Sequence, residues 1–139
     1  MLDLDVEVHS GAGRPVVVEP AFAGYVHGES GLDGADLPEP TRPVDGTDGI
    51  QFLIETARSN PGCHLVATGP MTNIAIALRS DPTLRDHIAG ISFMGGGTFG
   101  NRTAMSEFNF WADPHAAAVV VNSGLPLIMA GLDVTHQFQ

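Results

Sequence analysis

Residues 91–114 read Ile-Ser-Phe-Met-Gly-Gly-Gly-Thr-Phe-Gly-Asn-Arg-Thr-Ala-Met-Ser-Glu-Phe-Asn-Phe-Trp-Ala-Asp-Pro, and the fold turns on them. A short apolar run ends at Met94, as a strand buried in a parallel sheet does. Gly95, Gly96, Gly97 and Gly100 follow, where the backbone can turn sharply and a ligand can come close. Asn101, Glu107 and Asn109 then supply two amides and a carboxylate just past the carboxyl end of that strand. Open α/β sheets bind ligands at this place. A solvated glycine loop with ordinary polar residues is the plain alternative. The apolar company of Met94, Phe99, Phe108, Phe110 and Trp111 favours a cradle, because solvated loops rarely carry so much aromatic area.

Outward from this stretch the chain alternates. On the carboxyl side, Asp113–Asn122 is predicted as a helix capped by Asp113 with Pro114 in its first turn. Leu127–Gly131 is the next strand, and no further helix is expected before Gln139. On the amino side, Thr47–Ser59 has Ile50, Leu53, Ile54 and Ala57 on one face and ends at Asn60-Pro61-Gly62. His64–Thr68 is a short buried strand. Asn73–Ser80 is a helix broken by Asp81-Pro82, and Leu84–Ile88 is a short helical piece before the strand Ile91–Met94. Strands alternating with helices give an α/β class, an open and mostly parallel sheet with flanking helices. One domain spans 1–139 with no internal boundary.

The amino-terminal third is less regular. Leu2, Leu4, Val6 and Val8 alternate with Asp3, Asp5, Glu7 and His9, the pattern of a strand with one wet face. Asp3 and Asp5 read as solvated charge on that face rather than as a metal pair. Arg14–Pro43 is too rich in proline and glycine for long elements. His27 lies inside it, between an apolar residue and a glycine, as a ligand contact or a surface histidine.

Composition narrows the chemistry. The chain has 139 residues, is 43% hydrophobic and carries a net charge of -10, which suffices for a core and disfavours a nucleic-acid polymer as partner. All six basic residues are arginine. The single cysteine, Cys63, permits no internal disulfide and reads as a small buried hydrophobe. No apolar run has the length of a membrane span, and the acidic start lacks the basic region of a signal peptide, so a cytoplasmic location is expected. There is no Gly-x-Ser-x-Gly, no Walker A loop and no Gly-x-Gly-x-x-Gly at a first strand–helix turn. Cys63-His64 lacks the companions of a zinc site. Neutral amides, one carboxylate and apolar surface suit the hydroxyls of an unphosphorylated sugar.

Several segments together resemble the inosine-uridine preferring nucleoside hydrolase family, from about residue 6 to residue 136. They are His27-Gly28-x-x-Gly31-Leu32, Gly69-Pro70-Met71-Thr72-Asn73-Ile74-Ala75, Met94-Gly95-Gly96, Gly100-Asn101, Glu107-Phe108-Asn109, Asp113-Pro114-x-Ala116-Ala117 and Gly131-Leu132-Asp133-Val134-Thr135. The resemblance implies a Rossmann-like sheet and hydrolysis of the N-glycosidic bond of ribonucleosides in purine and pyrimidine salvage. A calcium ion would hold the ribose 2′- and 3′-hydroxyls and the attacking water. It makes Thr72 a calcium ligand through its main-chain carbonyl, Asn101, Glu107 and Asn109 ribose ligands, Met94 the packing under the sugar and Phe108 part of the lining. His27 would lie near the base.

The family's opening strand ends in Asp-x-Asp-x-x-x-Asp-Asp, which binds calcium and supplies the general base. A later His-Asp pair adds a metal ligand and an acid. Neither motif is present, so the catalytic residues are expected outside this chain. Asp133 belongs to a different family segment and is not taken as a metal ligand. The expectation is a central fragment with both ends absent, inactive and without calcium by itself, its sheet exposing an apolar edge or face. The longer protein is expected to be a dimer or tetramer acting on a small nucleoside. The alternative is a non-catalytic module that binds a sugar or nucleoside.

Overall fold

The computed structural model describes residues 6–22, 24, 28 and 42–138. His27 and the first half of the alternating amino-terminal run lie outside the described residues. Helix α1 is Gly49–Ser59. Strand β1 is Cys63–Ala67, helix α2 is Thr72–Ser80, and a 3-10 turn runs over Pro82–His87. Strand β2 is Ile88–Met94, followed by α3, Phe108–Ala112, and α4, Pro114–Val121. Strand β3 is Leu127–Ala130, α5 is Leu132–Thr135, and a 3-10 turn covers His136–Phe138.

The three strands stand in the order β1-β2-β3 and pair in parallel. Leu65 lies opposite Ile91, and Ile91 opposite Leu127. Each parallel connection carries helix, as it must to return the chain to the starting end of the sheet. Apolar side chains of α1, α2 and α4 pack on the Leu65–Ile91–Leu127 face. Ile54, Ile74, Leu78, Leu84, Ile91 and Val120 are buried there. Full burial of one such side chain stabilises by about 1.5–3 kcal/mol, which places most of the stability in this layer.

The opposite face is bare. Val66, Ser92 and Ile128 line up across the three strands, with Val66 70% and Ile128 62% exposed. An apolar face open to solvent was the expectation, and the described residues have one. Beside Ser92, His64 hydrogen-bonds the Ser92 hydroxyl at 2.8 Å and lies over Gly90.

Three expectations need correction. Beyond β3, where no further helix is expected, the short helix α5 and a 3-10 turn follow, started by the Gly131 carbonyl. Val6 and Val8 are 55% and 51% exposed, and residues 6–8 form no strand; a single parallel bridge joins His9 to Gly46. Alternation supplied an apolar side but, among the described residues, no sheet partner to cover it. The segment is held instead to the start of α1. Val8 and Asp45 exchange hydrogen bonds, and His9 stacks on Phe52 with ring centroids 3.8 Å apart while pairing with Asp48. The piece expected as helix over Leu84–Ile88 is a 3-10 turn that starts earlier. Asp81 caps it by accepting the Thr83 amide, and β2 begins at Ile88.

Candidate functional site

The carboxyl ends of β2 and β3 meet at the glycine loop. Gly96 has φ +70, a conformation that favours glycine. Its backbone is tied on both sides. The Gly96 amide donates to Glu107 Oε2 at 3.0 Å, and the Leu132 amide donates to the Gly96 carbonyl at 2.9 Å. Gly100 needs the absence of a side chain for a different reason. A Cβ there would sit 2.1 Å from the Thr103 carbonyl oxygen and 2.3 Å from the Ser106 nitrogen.

Glu107 organises the next turn. It is 3% exposed and caps α3: Oε1 accepts the Asn109 amide at 2.8 Å, and Oε2 accepts the Phe110 amide at 3.2 Å. One carboxylate therefore satisfies free donors at a helix start and one in the glycine loop. A carboxylate at a helix amino terminus is also favoured by the helix dipole.

The amides on either side have fixed orientations, because backbone groups of known polarity face them. Asn101 Oδ1 accepts the Phe108 amide at 2.9 Å, which turns its NH2 group outward. Asn109 Nδ2 donates to the Met94 carbonyl at 3.0 Å and lies 3.2 Å from the Met94 sulfur, which leaves its Oδ1 as an acceptor. Met94, Asn101, Glu107 and Asn109 are thus brought into one hydrogen-bonded assembly. Phe108 stands beside it, with its ring centroid 6.3 Å from that of Trp111. Arg102 lies over the Trp111 ring at 4.3 Å, a cation–π contact that closes the Gly100–Ser106 loop onto α3.

Thr72 lies apart from this assembly. It opens α2, where a main-chain carbonyl points along the helix axis toward the amide four residues on. Its hydroxyl donates to Asp113 Oδ2 at 2.7 Å. Asp113 is fully buried and also accepts the Val16 amide at 2.9 Å and the Ala116 amide at 3.0 Å. Beside Thr72 is a hollow of about 220 Å³, walled by Ala12, Arg14, Phe22, Pro70, Asn73 and Ala112 among others. Asn101, Glu107 and Asn109 do not line it.

Sequence reasoning missed three features. Helix α3 falls where the sequence predicts loop; its cap is Glu107 rather than the serine, threonine, aspartate or asparagine that usually marks a helix start. The link from Asp113 to Thr72 and Val16 joins residues far apart in the chain. Asp133, set aside as a metal ligand, binds the glycine loop: Oδ2 accepts the Thr98 amide at 3.0 Å, and Oδ1 accepts the Thr98 hydroxyl. Those Thr98 hydrogen bonds hold its carboxyl below the usual carboxylate range.

The described residues do not fit calcium by themselves. The ion takes roughly 6–8 oxygen ligands, usually several carboxylates. No group of three or more histidine, cysteine, aspartate or glutamate side chains with metal-binding placement occurs among the described residues. The carboxylates of Glu107, Asp113 and Asp133 are each already engaged by protein donors. Also among the described residues, no helix is long and apolar enough to cross a membrane.

A family model described as inosine-uridine preferring nucleoside hydrolase matches residues 1–139. The pyrimidine-specific ribonucleoside hydrolases RihA of Salmonella arizonae and of an Enterobacter species are each 47% identical over 137 residues. Those alignments cover 97% of this chain and 44% of the relatives, so the chain spans less than half of their length. Among solved structures, a purine-preferring ribonucleoside hydrolase from Gardnerella vaginalis superposes with a TM-score of 0.87 at 34% identity, over 95% of this chain and 44% of that one. A plant nucleoside hydrolase, PpNRh1, superposes with a TM-score of 0.74 at 34% identity, over 84% of this chain and 38% of that one.

Proposed function

The chain belongs to the inosine-uridine preferring nucleoside hydrolase family, and we propose that it contributes the ribose-binding face of an enzyme that hydrolyses the N-glycosidic bond of ribonucleosides. The observation that carries the proposal is the interlocked set Met94, Asn101, Glu107 and Asn109 at the carboxyl edge of the sheet. The orientations above leave the Asn101 NH2 group as donor and Asn109 Oδ1 as acceptor. A sugar hydroxyl both donates and accepts, so such a pair suits a diol. Phe108 supplies apolar surface beside it. His27 near the base and the Thr72 carbonyl at a metal remain parts of this proposal.

Cleavage of a glycosidic bond builds positive charge on the sugar ring. A preorganised carboxylate and amide oxygen stabilise that charge more than they stabilise the neutral substrate, which lowers the barrier. Glu107 is suited to this because three backbone amides hold it still. A missing hydroxyl would leave the Asn101 and Asn109 amide groups without a sugar partner, so deoxy sugars are expected to bind less tightly. Ribonucleosides are proposed as a class, since the similar proteins include both pyrimidine-specific and purine-preferring hydrolases.

Calcium belongs to the proposal for a longer protein, with its ligands and the general base drawn from other segments. Action in cytoplasmic nucleoside salvage and assembly into a dimer or tetramer complete the reading. A second reading, a sugar or nucleoside-binding module without catalysis, is favoured for the chain alone by the engagement of its buried carboxylates.

One experiment separates the two. Ribose, inosine and uridine are titrated calorimetrically into this chain and into a version extended at both ends to the length of its relatives, with base release followed by ultraviolet absorbance. The expected result is weak ribose binding without release by the chain, and calcium-dependent release by the extended protein. An extended, folded protein that releases no base from any ribonucleoside refutes the hydrolase reading. Binding without release leaves the module.

A further inference from the structure

We infer that Asp133 is a positioning residue of this site, an inference that rests on the ribose-binding reading. Three consecutive glycines, Gly95 to Gly97, have no side chains to pack and positive φ angles of 157, 70 and 149 degrees. Such a segment loses more conformational freedom on folding than any other, so outside tethers must set its path. The near end has them. The Gly95 amide reaches the Ala130 carbonyl at 3.2 Å, and Gly96 is held by Glu107 and Leu132.

At the far end the tether is Asp133. Its two carboxylate oxygens take the Thr98 amide and the Thr98 hydroxyl. A Cβ built on Gly97 would lie 3.2 Å from Asp133 Oδ2, so the carboxylate rests directly against the loop. It does not serve its own short helix, because the amides of Val134 and Thr135 are taken by the Gly131 carbonyl. The same loop begins at Met94, whose carbonyl holds Asn109, and includes Gly96, whose amide holds Glu107. Asp133 thereby fixes the end of a backbone segment whose other end orients two of the proposed sugar ligands, without touching the sugar itself.

The test compares Asp133→Ala, Asp133→Asn and the unaltered chain by amide hydrogen exchange and by ribose calorimetry, with circular dichroism as the check on folding. Asp133→Ala should speed exchange at Thr98 by about tenfold or more, the equivalent of one lost charge-assisted hydrogen bond. Exchange at Leu65 and Ile91 should stay unchanged, and ribose binding should weaken several-fold. Asp133→Asn keeps an oxygen for the Thr98 amide and should restore most of both. Unchanged loop exchange in Asp133→Ala overturns the inference, and so does unchanged ribose affinity. An unaltered chain that binds no ribose sinks the sugar-site reading instead, while the exchange comparison still decides whether Asp133 holds the loop.

Discussion

Replacing Asp113 with alanine removes the acceptor shared by three parts of the chain. The carboxylate is 0% exposed and takes the Thr72 hydroxyl at 2.7 Å, the Val16 amide at 2.9 Å and the Ala116 amide at 3.0 Å. Val16 is 48% exposed, so its amide can return to water at little cost. The other two donors cannot, since Thr72 is 9% and Ala116 0% exposed. A buried donor left without a partner costs about 1–3 kcal/mol, and loss of a helix cap about 1 kcal/mol. Allowing the Thr72 hydroxyl to rotate toward another acceptor, the sum is about 3 kcal/mol. With a urea dependence of about 1.5 kcal/mol per molar for a domain of this size, the unfolding midpoint should fall by about 2 M. Asp113→Asn should fall by less, because its oxygen can still cap Ala116 while its NH2 group faces a donor. Thr72→Val should be costly in the unaltered chain and nearly silent in Asp113→Ala, a coupling of about 1–2 kcal/mol. A midpoint shift below about 0.5 M, or additivity of the two substitutions, would refute the account of Asp113 as the joint between the segment around Val16, α2 and α4.

Three further outcomes are expected. Gly100→Ala places a Cβ 2.1 Å from a backbone oxygen, so the Gly100–Ser106 loop must open; a loss of about 1–3 kcal/mol in thermal melts and a shift in Trp111 fluorescence should accompany it, and an unchanged spectrum would contradict the packing. Glu107→Gln keeps acceptor oxygen but points an NH2 group at backbone N–H donors, with an expected loss of about 1–3 kcal/mol and weaker ribose binding; equal stability would show that the three amides find other partners. Acid should destabilise the fold in a defined window. Asp48 is held low first by its bond with His9, Asp81 by Thr83, Asp133 by Thr98 and Asp45 by the Val8 amide, each below the ordinary 3.8. Groups with lowered folded values stabilise fully above 3.8, and that contribution is lost as pH falls from there through the folded values. Thermal midpoints that rise on acidification below 3.8 would contradict these assignments.

The layers of the fold were legible where apolar blocks sit between clear breakers. Helices α1, α2 and α4 and strands β2 and β3 follow directly from Ile50–Ala57, Ile74–Leu78, Ala116–Val120, Ile91–Met94 and Leu127–Ala130. Boundaries shifted where a local bond decided them, as Asp81 did for the 3-10 turn. Helix α3 is hard to read because five residues are too few to establish a 3.6-residue period, and its cap also serves a loop 11 residues back. Helix α5 is four residues long and is held largely by the Gly131 carbonyl, which leaves no periodic trace. Met94, Asn101, Glu107 and Asn109, the residues proposed as the sugar-binding face, stand out in the sequence as a glycine loop and its polar sequel. Their wiring does not, because which oxygen takes which amide depends on contacts formed only after β2 and β3 are side by side.

The bare Val66–Ser92–Ile128 face and the outer edge of β1, which pairs only with β2 among the described residues, govern how the isolated chain behaves in solution. Unpaired strand edges and apolar faces recruit other copies. A net charge of -10 opposes that recruitment through mutual repulsion. Salt weakens the repulsion and leaves the apolar attraction in place. Clustering should therefore grow with ionic strength, and low-salt buffer is the condition in which single molecules persist.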